Sequence, residues 1–327
     1  MLIPYHSLEQ ELNRVLIKSG MNENKAQLCA EVFAGNSRDG VYSHGLNRFP
    51  QFIKSIGEGL INVDAEPLVV STKGSVENWD GQLAPGIYTA TKAISRAVEI
   101  AKANGIGLIA VKNTNHWMRG GTYGWQAADK GCIAICGTNS IANMPPWGGR
   151  DATLGNNPLV IAVPRKEGHL VLDMAMSQYS YGKLHEHHLA GKKLAHPGGY
   201  DNEGKLSQDP DAIMQSKRTL PVGLWKGSGL SLLMDVLVSA LSNGKTVSGI
   251  TASGKEFGVS QFFICISPES INESIIDEII TYAKSSEVLD ENSSVRYPGE
   301  STLRQRKKSL AEGVYVNEKI WEEVKGL

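Results

Sequence analysis

Two short stretches of the chain hold residue types that could handle a proton and an anion together. In Tyr42-Ser-His-Gly-Leu-Asn-Arg48, His44 and Arg48 stand four residues apart. A helix beginning just before His44, with Ser43 as its cap, would turn both side chains to one face. An imidazolium can protonate a carbonyl oxygen while a guanidinium fork grips a carboxylate at two points, the combination that reduction of a keto acid requires. The alternative for the same spacing is a solvated His and Arg on an exposed helix. The second stretch, Asn113-Thr-Asn-His-Trp-Met-Arg-Gly-Gly121, follows an apolar run ending at Val111. It sets Asn113, Asn115 and His116 between a strand and a glycine pair, where α/β sheets often hold ligands.

Other chemistry is less well supported. His185-Glu-His-His188 gathers metal-capable side chains but lacks the His-x-x-x-His spacing that aligns two ligands on a helix turn. It reads as a solvated polar segment, and a metal-dependent hydrolase is the function it would otherwise serve. No Gly-x-Ser-x-Gly elbow supports nucleophilic hydrolysis. No Gly-x-Gly-x-x-Gly follows a strand, and no phosphate loop ending in Gly-Lys-Ser/Thr occurs, which disfavours a standard Rossmann domain. Gly227-Ser-Gly229, after Trp225-Lys226, could hold an anion through free N–H groups at a helix start or serve close helix packing.

Composition narrows the class. The 327 residues carry 33 basic and 34 acidic side chains, a net charge of −1, so no bulk field draws nucleic acid or anionic lipid. Hydrophobic content of 41% with 20% charged residues is globular, and 35 glycines point to many tight turns and close backbone approaches. No apolar run is long enough to span a membrane, because Asp235 interrupts the longest, Leu230 to Leu241. The first ten residues carry no basic or apolar targeting pattern, so a cytoplasmic protein is expected, with Cys29, Cys132, Cys136 and Cys265 as reduced core thiols.

The elements that must position these residues follow from periodicity. Ser7 and Gln10 have capping-box spacing, and Leu8, Leu12, Val15 and Leu16 form one helical stripe. Asn22 or Asn24 can cap a second helix with Ala26, Cys29, Ala30 and Phe33 inward, and a third stripe runs through Phe49, Phe52, Ile53 and Ile56. Strands are expected at Leu68 to Val70 and Val76 to Trp79, at 106–111, at 132–136, as a hairpin at 159–163 and 170–172, and at 261–266. Helices fall at 87–103, 122–130 and 228–241, and again from 286 onward. The predicted fold is α/β with a sheet that is not purely parallel. Residues 1–65 and 286–327 form a helical domain from both chain ends, and 66–285 an α/β core.

Taken together, several segments resemble the malate/L-lactate dehydrogenase family, which lacks a Rossmann fold. They are Gly40 to Pro50, Asn115 to Gln126, Asn139-Ser-Ile-Ala142 with Pro145-Pro-Trp-Gly148, Gly155-Asn-Asn-Pro158 and Trp225 to Gly229, in order along essentially the whole chain. The resemblance implies a mixed-sheet nicotinamide-binding core and a homodimer whose partner subunit completes the active site. It implies a small keto acid as substrate, with family members acting on malate, lactate, sulfolactate or ureidoglycolate. Carried over by motif, His44 is the proton donor, Arg48 the carboxylate ligand, and His116 a substrate contact or the alternative acid. Cofactor contacts carry over to Ser140, to His169, Leu170, Val171, Leu172, Asp173, Met174 and Ala175, to Trp225 and Lys226, and to Gly299, Glu300 and Ser301. NAD is expected over NADP, because these segments offer Asp173 for ribose hydroxyls and no arginine pair for a 2′-phosphate. A non-enzymatic acid-binding protein, the reading from another class, would need neither His44 nor cofactor.

Overall fold

The chain enters through β1 (Leu2–Ile3) and α1 (Tyr5–Lys18), whose stripe Leu8, Leu12, Val15 and Leu16 is buried as its period requires. Pro4 rather than Ser7 occupies the N-cap, its fixed φ already suited to a helix start. Asn22 caps α2 (Glu23–Arg38) by accepting the Lys25 N–H at 3.0 Å. Two 3₁₀ turns lead to α3 (Phe49–Gly57), where Phe33 meets Phe49 and Phe52 edge-on at 5.1 and 5.2 Å. The hairpin β2 (Leu68–Lys73) and β3 (Val76–Asp80) precedes α4 (Gly86–Asn104), β4 (Ile106–Thr114), α5 (Gly121–Ala128) and β5 (Ile133–Thr138). Then come β6 (Leu159–Val163), β7 (Leu170–Met174), α6 (Tyr181–Leu189), β8 (Gly199–Tyr200), β9 (Leu206–Ser207) and α7 (Pro210–Ser216). The chain finishes with α8 (Trp225–Ser242), α9 (Val247–Ala252), β10 (Val259–Ile266), α10 (Glu273–Lys284), α11 (Glu300–Glu312), β11 (Val314–Tyr315) and α12 (Glu318–Gly326). This computed structural model describes residues 1–291 and 293–327.

The main sheet has the order β2-β3-β4-β10-β5-β6-β7, and only β3 and β4 run parallel. This is the mixed sheet expected from the sequence, and no doubly wound nucleotide fold results. β10 sits in the middle with alternating faces: Phe263 and Cys265 join the core under α4 and α5, while Phe262 and Ile264 pack toward α8 with Met234 and Val238. The four cysteines are free and buried. Both chain ends meet in a separate apolar cluster: β1 pairs with β11, and Trp321 and Val324 of α12 join Leu8, Phe33 and Phe49.

Two departures have local causes. Asp235, placed in the apolar run of α8, accepts the Val247 N–H at 2.9 Å and the Asn139 amide at 2.9 Å, so it anchors the next helix instead of facing apolar core. Helix α10, absent from the sequence reading, carries Ile275, Ile276, Ile279 and Ile280 at helical spacing but buries only Ile280, and α6 buries only Leu184.

Candidate active site

Residues 42–48 do not form the α-helix expected from the His44/Arg48 spacing, and Ser43 is no cap. They form two 3₁₀ turns, Tyr42–His44 and Leu46–Arg48, broken at Gly45. The reason is close approach: a Cβ on Gly45 would run into Ser37 Oγ, which instead accepts the Leu46 N–H at 2.9 Å. Asn36 of α2 donates its side-chain amide to the His44 carbonyl at 2.9 Å. Ser43 Oγ pairs with His44 Nδ1 at 3.0 Å.

His116 arrives from the sheet. Asn115 beside it is a structural residue rather than the ligand group its polarity suggested. Its amide donates to the carbonyls of Leu60, Leu83 and Ala84 at 3.2, 2.8 and 3.2 Å. Asn113 likewise donates to Asp80 at 3.1 Å. His116 stacks on His44 with ring centroids 5.7 Å apart and planes 17° from parallel. Its Nδ1 accepts the Met118 N–H at 2.9 Å, which assigns the neutral-ring proton to Nε2. Nε2 lies 3.9 Å from Glu256 Oε1.

Burial pushes both imidazoles down to about 3, and Arg48 adds to the effect on each; His116 and Arg119 further depress His44. Both rings are therefore neutral near pH 7 before any ligand arrives. Arg48 lines a recess enclosing about 380 Å³ of empty space open to solvent, with His116, Glu256, Gln51, Ser55 and Met118. Its guanidinium has no hydrogen bond or ion pair among the described residues, unlike the other arginines nearby. A bare guanidinium in a recess beside two neutral imidazoles offers an anion a fork of unpaired donors.

The remaining candidates lie along β7, the edge strand of the sheet. At its start the Val171 N–H donates to Pro298 O at 2.9 Å, and Gly299 crowds against the His169 carbonyl, so the 299–301 turn sits beside residues 169–171. At its far end Met176 accepts the Val222 N–H at 2.8 Å and donates to Asn156 O at 2.7 Å. Asn156 in turn accepts from Ser140 Oγ at 2.8 Å. Trp225 and Lys226 open α8 just beyond Val222, a helix start with no side-chain cap. Midway, Asp173 accepts the Gly121 N–H at 2.7 Å; the surrounding protein raises its carboxyl above the usual range although Arg119 and that N–H oppose the shift. His169 is committed to Asp129 at 2.9 Å and lies tilted against Trp125.

The loop from His116 to Gly121 thus joins the histidine recess to the β7 line. Asp39 locks the arrangement, accepting from Arg306 at 2.8 and 2.7 Å, from Arg119 at 2.9 Å and from Arg38 at 2.9 Å, and these partners hold its carboxyl below the usual range against its burial. Neither this hub nor Glu256 carries a local signature, since apart from Arg38 beside Asp39 their partners are distant in sequence. Glu256 does stand in a glycine-flanked loop before a central strand, the one cue available. Of the glycine pair in α8, Gly227 packs against Val222 and Gly229 faces open space. In α6, His188 pairs with Asp211, His187 Nδ1 contacts Lys183 O, and no group of three metal-capable side chains forms among the described residues.

Fold and site together define a nicotinamide-dependent oxidoreductase without a Rossmann domain. The profile of the malate/L-lactate dehydrogenase family matches residues 3–325, and the chain belongs to that family. It is an oxidoreductase acting on CH–OH groups. It is 43% identical to 2,3-diketo-L-gulonate reductase of Citrobacter koseri and to that of Escherichia coli O127:H6, in each case over 100% of both chains. Malate dehydrogenase from Entamoeba histolytica superposes with a TM-score of 0.94 at 25% identity, covering 100% of this chain and 96% of that one. Sulfolactate dehydrogenase from Methanocaldococcus jannaschii gives 0.87 at 29% identity, covering 100% and 96%.

Proposed function

We propose that the protein reduces the 2-keto group of a sugar-derived keto acid, 2,3-diketo-L-gulonate to 3-dehydro-L-gulonate, with NADH as the preferred reductant. The substrate follows the full-length relatives. The observation that carries the chemistry is the unpartnered Arg48 in one recess with His116, beside His44.

In this reading Arg48 pairs with the substrate carboxylate. That pairing removes one cause of the low imidazole basicity, the Arg48 charge, while burial, the larger cause, remains. His44 is the proton donor. Imidazolium needs both ring nitrogens as donors, and Ser43 Oγ can accept from His44 Nδ1–H, whereas the Met118 N–H facing His116 Nδ1 can only donate. His116 therefore stays neutral and offers Nε2–H to a substrate oxygen. When bound, the reduced nicotinamide supplies a hydride to the keto carbon. In this reading the β7 line would hold such a dinucleotide: the Lys226 ammonium would meet phosphate, the Lys226, Gly227 and Ser228 N–H groups being taken by the Gly223, Val222 and Leu224 carbonyls, and Asp173 with Gly299, Glu300 and Ser301 would serve the ribose end. The test is a panel of 2-keto acids with NADH and NADPH, followed by loss of reduced-nicotinamide absorbance. The diketo sugar acid should react fastest; a larger kcat/KM with oxaloacetate, pyruvate or the keto acid of ureidoglycolate would contradict the substrate.

A homodimer completes this reading. Leu230, Leu233 and Leu237 share one exposed face of α8, with Leu232 and Val236 beside them, more apolar surface than one helix of a monomer ordinarily shows to water. A second copy would cover it, and specific activity should then fall on dilution below the dimer dissociation constant. A fully active monomer by light scattering would contradict it. Four free, buried thiols support a cytoplasmic setting.

A further inference from the structure

The ten residues lining the histidine recess include a single permanent cation, Arg48, and a single carboxylate, Glu256. Glu256 is held in place rather than free to swing away. Its Oε2 accepts the Ile141 N–H at 3.0 Å, and its neighbour Lys255 pairs with Glu58, at the end of α3, at 2.9 Å. Among the described residues, its other oxygen, Oε1, has only His116 Nε2 within ion-pair reach, at 3.9 Å, beyond hydrogen-bond distance. The same recess presents the polar, uncharged Gln51 and Ser55 of α3.

An acid that places its carboxylate on Arg48 thus finds, among the described lining residues, no second permanent cation for the rest of the molecule, and one fixed carboxylate with an accepting oxygen to spare. Hydroxyl groups can donate to that oxygen. A second carboxylate cannot; it would meet like charge in a partly desolvated recess. We propose that Glu256 determines specificity, accepting hydrogen bonds from the hydroxyls of a monocarboxylate keto acid's tail and turning away keto dicarboxylates. The inference rests on the keto-acid reduction proposed above and adds the residue that selects among keto acids.

Glu256→Gln tests it, because the amide oxygen can still accept from Ile141 N–H while the charge is gone. Steady-state kcat/KM is measured with the diketo sugar acid and with oxaloacetate. The variant should lose on the order of tenfold with the hydroxylated substrate and gain about tenfold with the dicarboxylate, a shift in their ratio of roughly 100-fold. A purely structural role would lower both values together and leave the ratio where it was, which would overturn the proposal. Wild-type enzyme supplies a check that needs no variant. Oxaloacetate and its 4-methyl ester differ in the second charge, and the ester should react better; equal rates or a preference for the diacid would overturn the assignment. If the wild type oxidises reduced nicotinamide with none of these acids, the keto-acid reading itself fails and this inference with it. Reduction with an unmoved ratio removes Glu256's role alone.

Discussion

The two imidazoles at the centre of the site come from different parts of the molecule and are held in different ways. His44 belongs to the helical cluster formed by the chain ends, on a turn drawn against α2 through Gly45, and the partner of its Nδ1 is a hydroxyl that can donate or accept. His116 belongs to the loop leaving the central sheet. It is pinned by α4, where a Cβ on Gly86 would strike the Asn115 and His116 carbonyls, and its Nδ1 is fixed by a backbone N–H. One ring can gain and lose a proton without breaking a partner, while the other keeps a single tautomer. In the function proposed above, the difference divides labour between them: the helical side would handle the proton and the sheet side would orient the oxygen that receives it.

If the comparison holds, the joint between the two parts matters as much as either ring. Asp39→Asn leaves three arginines crowded around a neutral amide, and breaking a buried ion pair costs on the order of 3–5 kcal/mol. Thermal unfolding should reveal that loss, and a variant as stable as the wild type would show that the hub does not hold the halves together. Arg48→Lys keeps the charge but not the fork. It should raise KM for the keto acid by about 10- to 100-fold while leaving NADH affinity unchanged, as titration of nicotinamide fluorescence would check.

A smaller effect concerns pH. His44 has its basicity depressed in the free protein and recovers some when an anion meets Arg48, so an unreactive carboxylate analogue such as oxamate should bind more tightly as pH falls from 7 toward 5. Calorimetry in buffers of different ionisation enthalpy should register proton uptake, and buffer-independent heats would contradict the coupling. The same rings weaken the fold in acid. Neutral when folded and ordinary when unfolded, they leave stability intact above the unfolded value near 6.5 and erode it as pH drops below that.

Much of the scaffold could be read from pattern because burial writes itself into periodicity. The stripes of α1 and α2 and the β6–β7 hairpin have inward faces that the core demands. The His44/Arg48 pair stood out in the sequence by residue type, but its geometry did not. Spacing of four suggested an α-helical face, whereas contact between Gly45 and Ser37 imposes two tighter turns, a consequence of packing that no local rule carries. Glu256 and the Asp39 hub escaped because their distant partners, Ile141 and His116 for one and residues 119 and 306 for the other, assemble only in three dimensions.

The division between the two histidines is tested most directly by single-turnover reduction in His44→Asn and His116→Asn, each first loaded with NADH. The account predicts that both variants still bind NADH. It predicts that His44→Asn loses roughly 10²- to 10⁴-fold in the hydride-transfer rate, as removal of a general acid does, and that His116→Asn loses only about tenfold. A His44→Asn variant that keeps more than about a tenth of the wild-type rate, or a larger loss in His116→Asn, would contradict the assignment of the proton to the helical side.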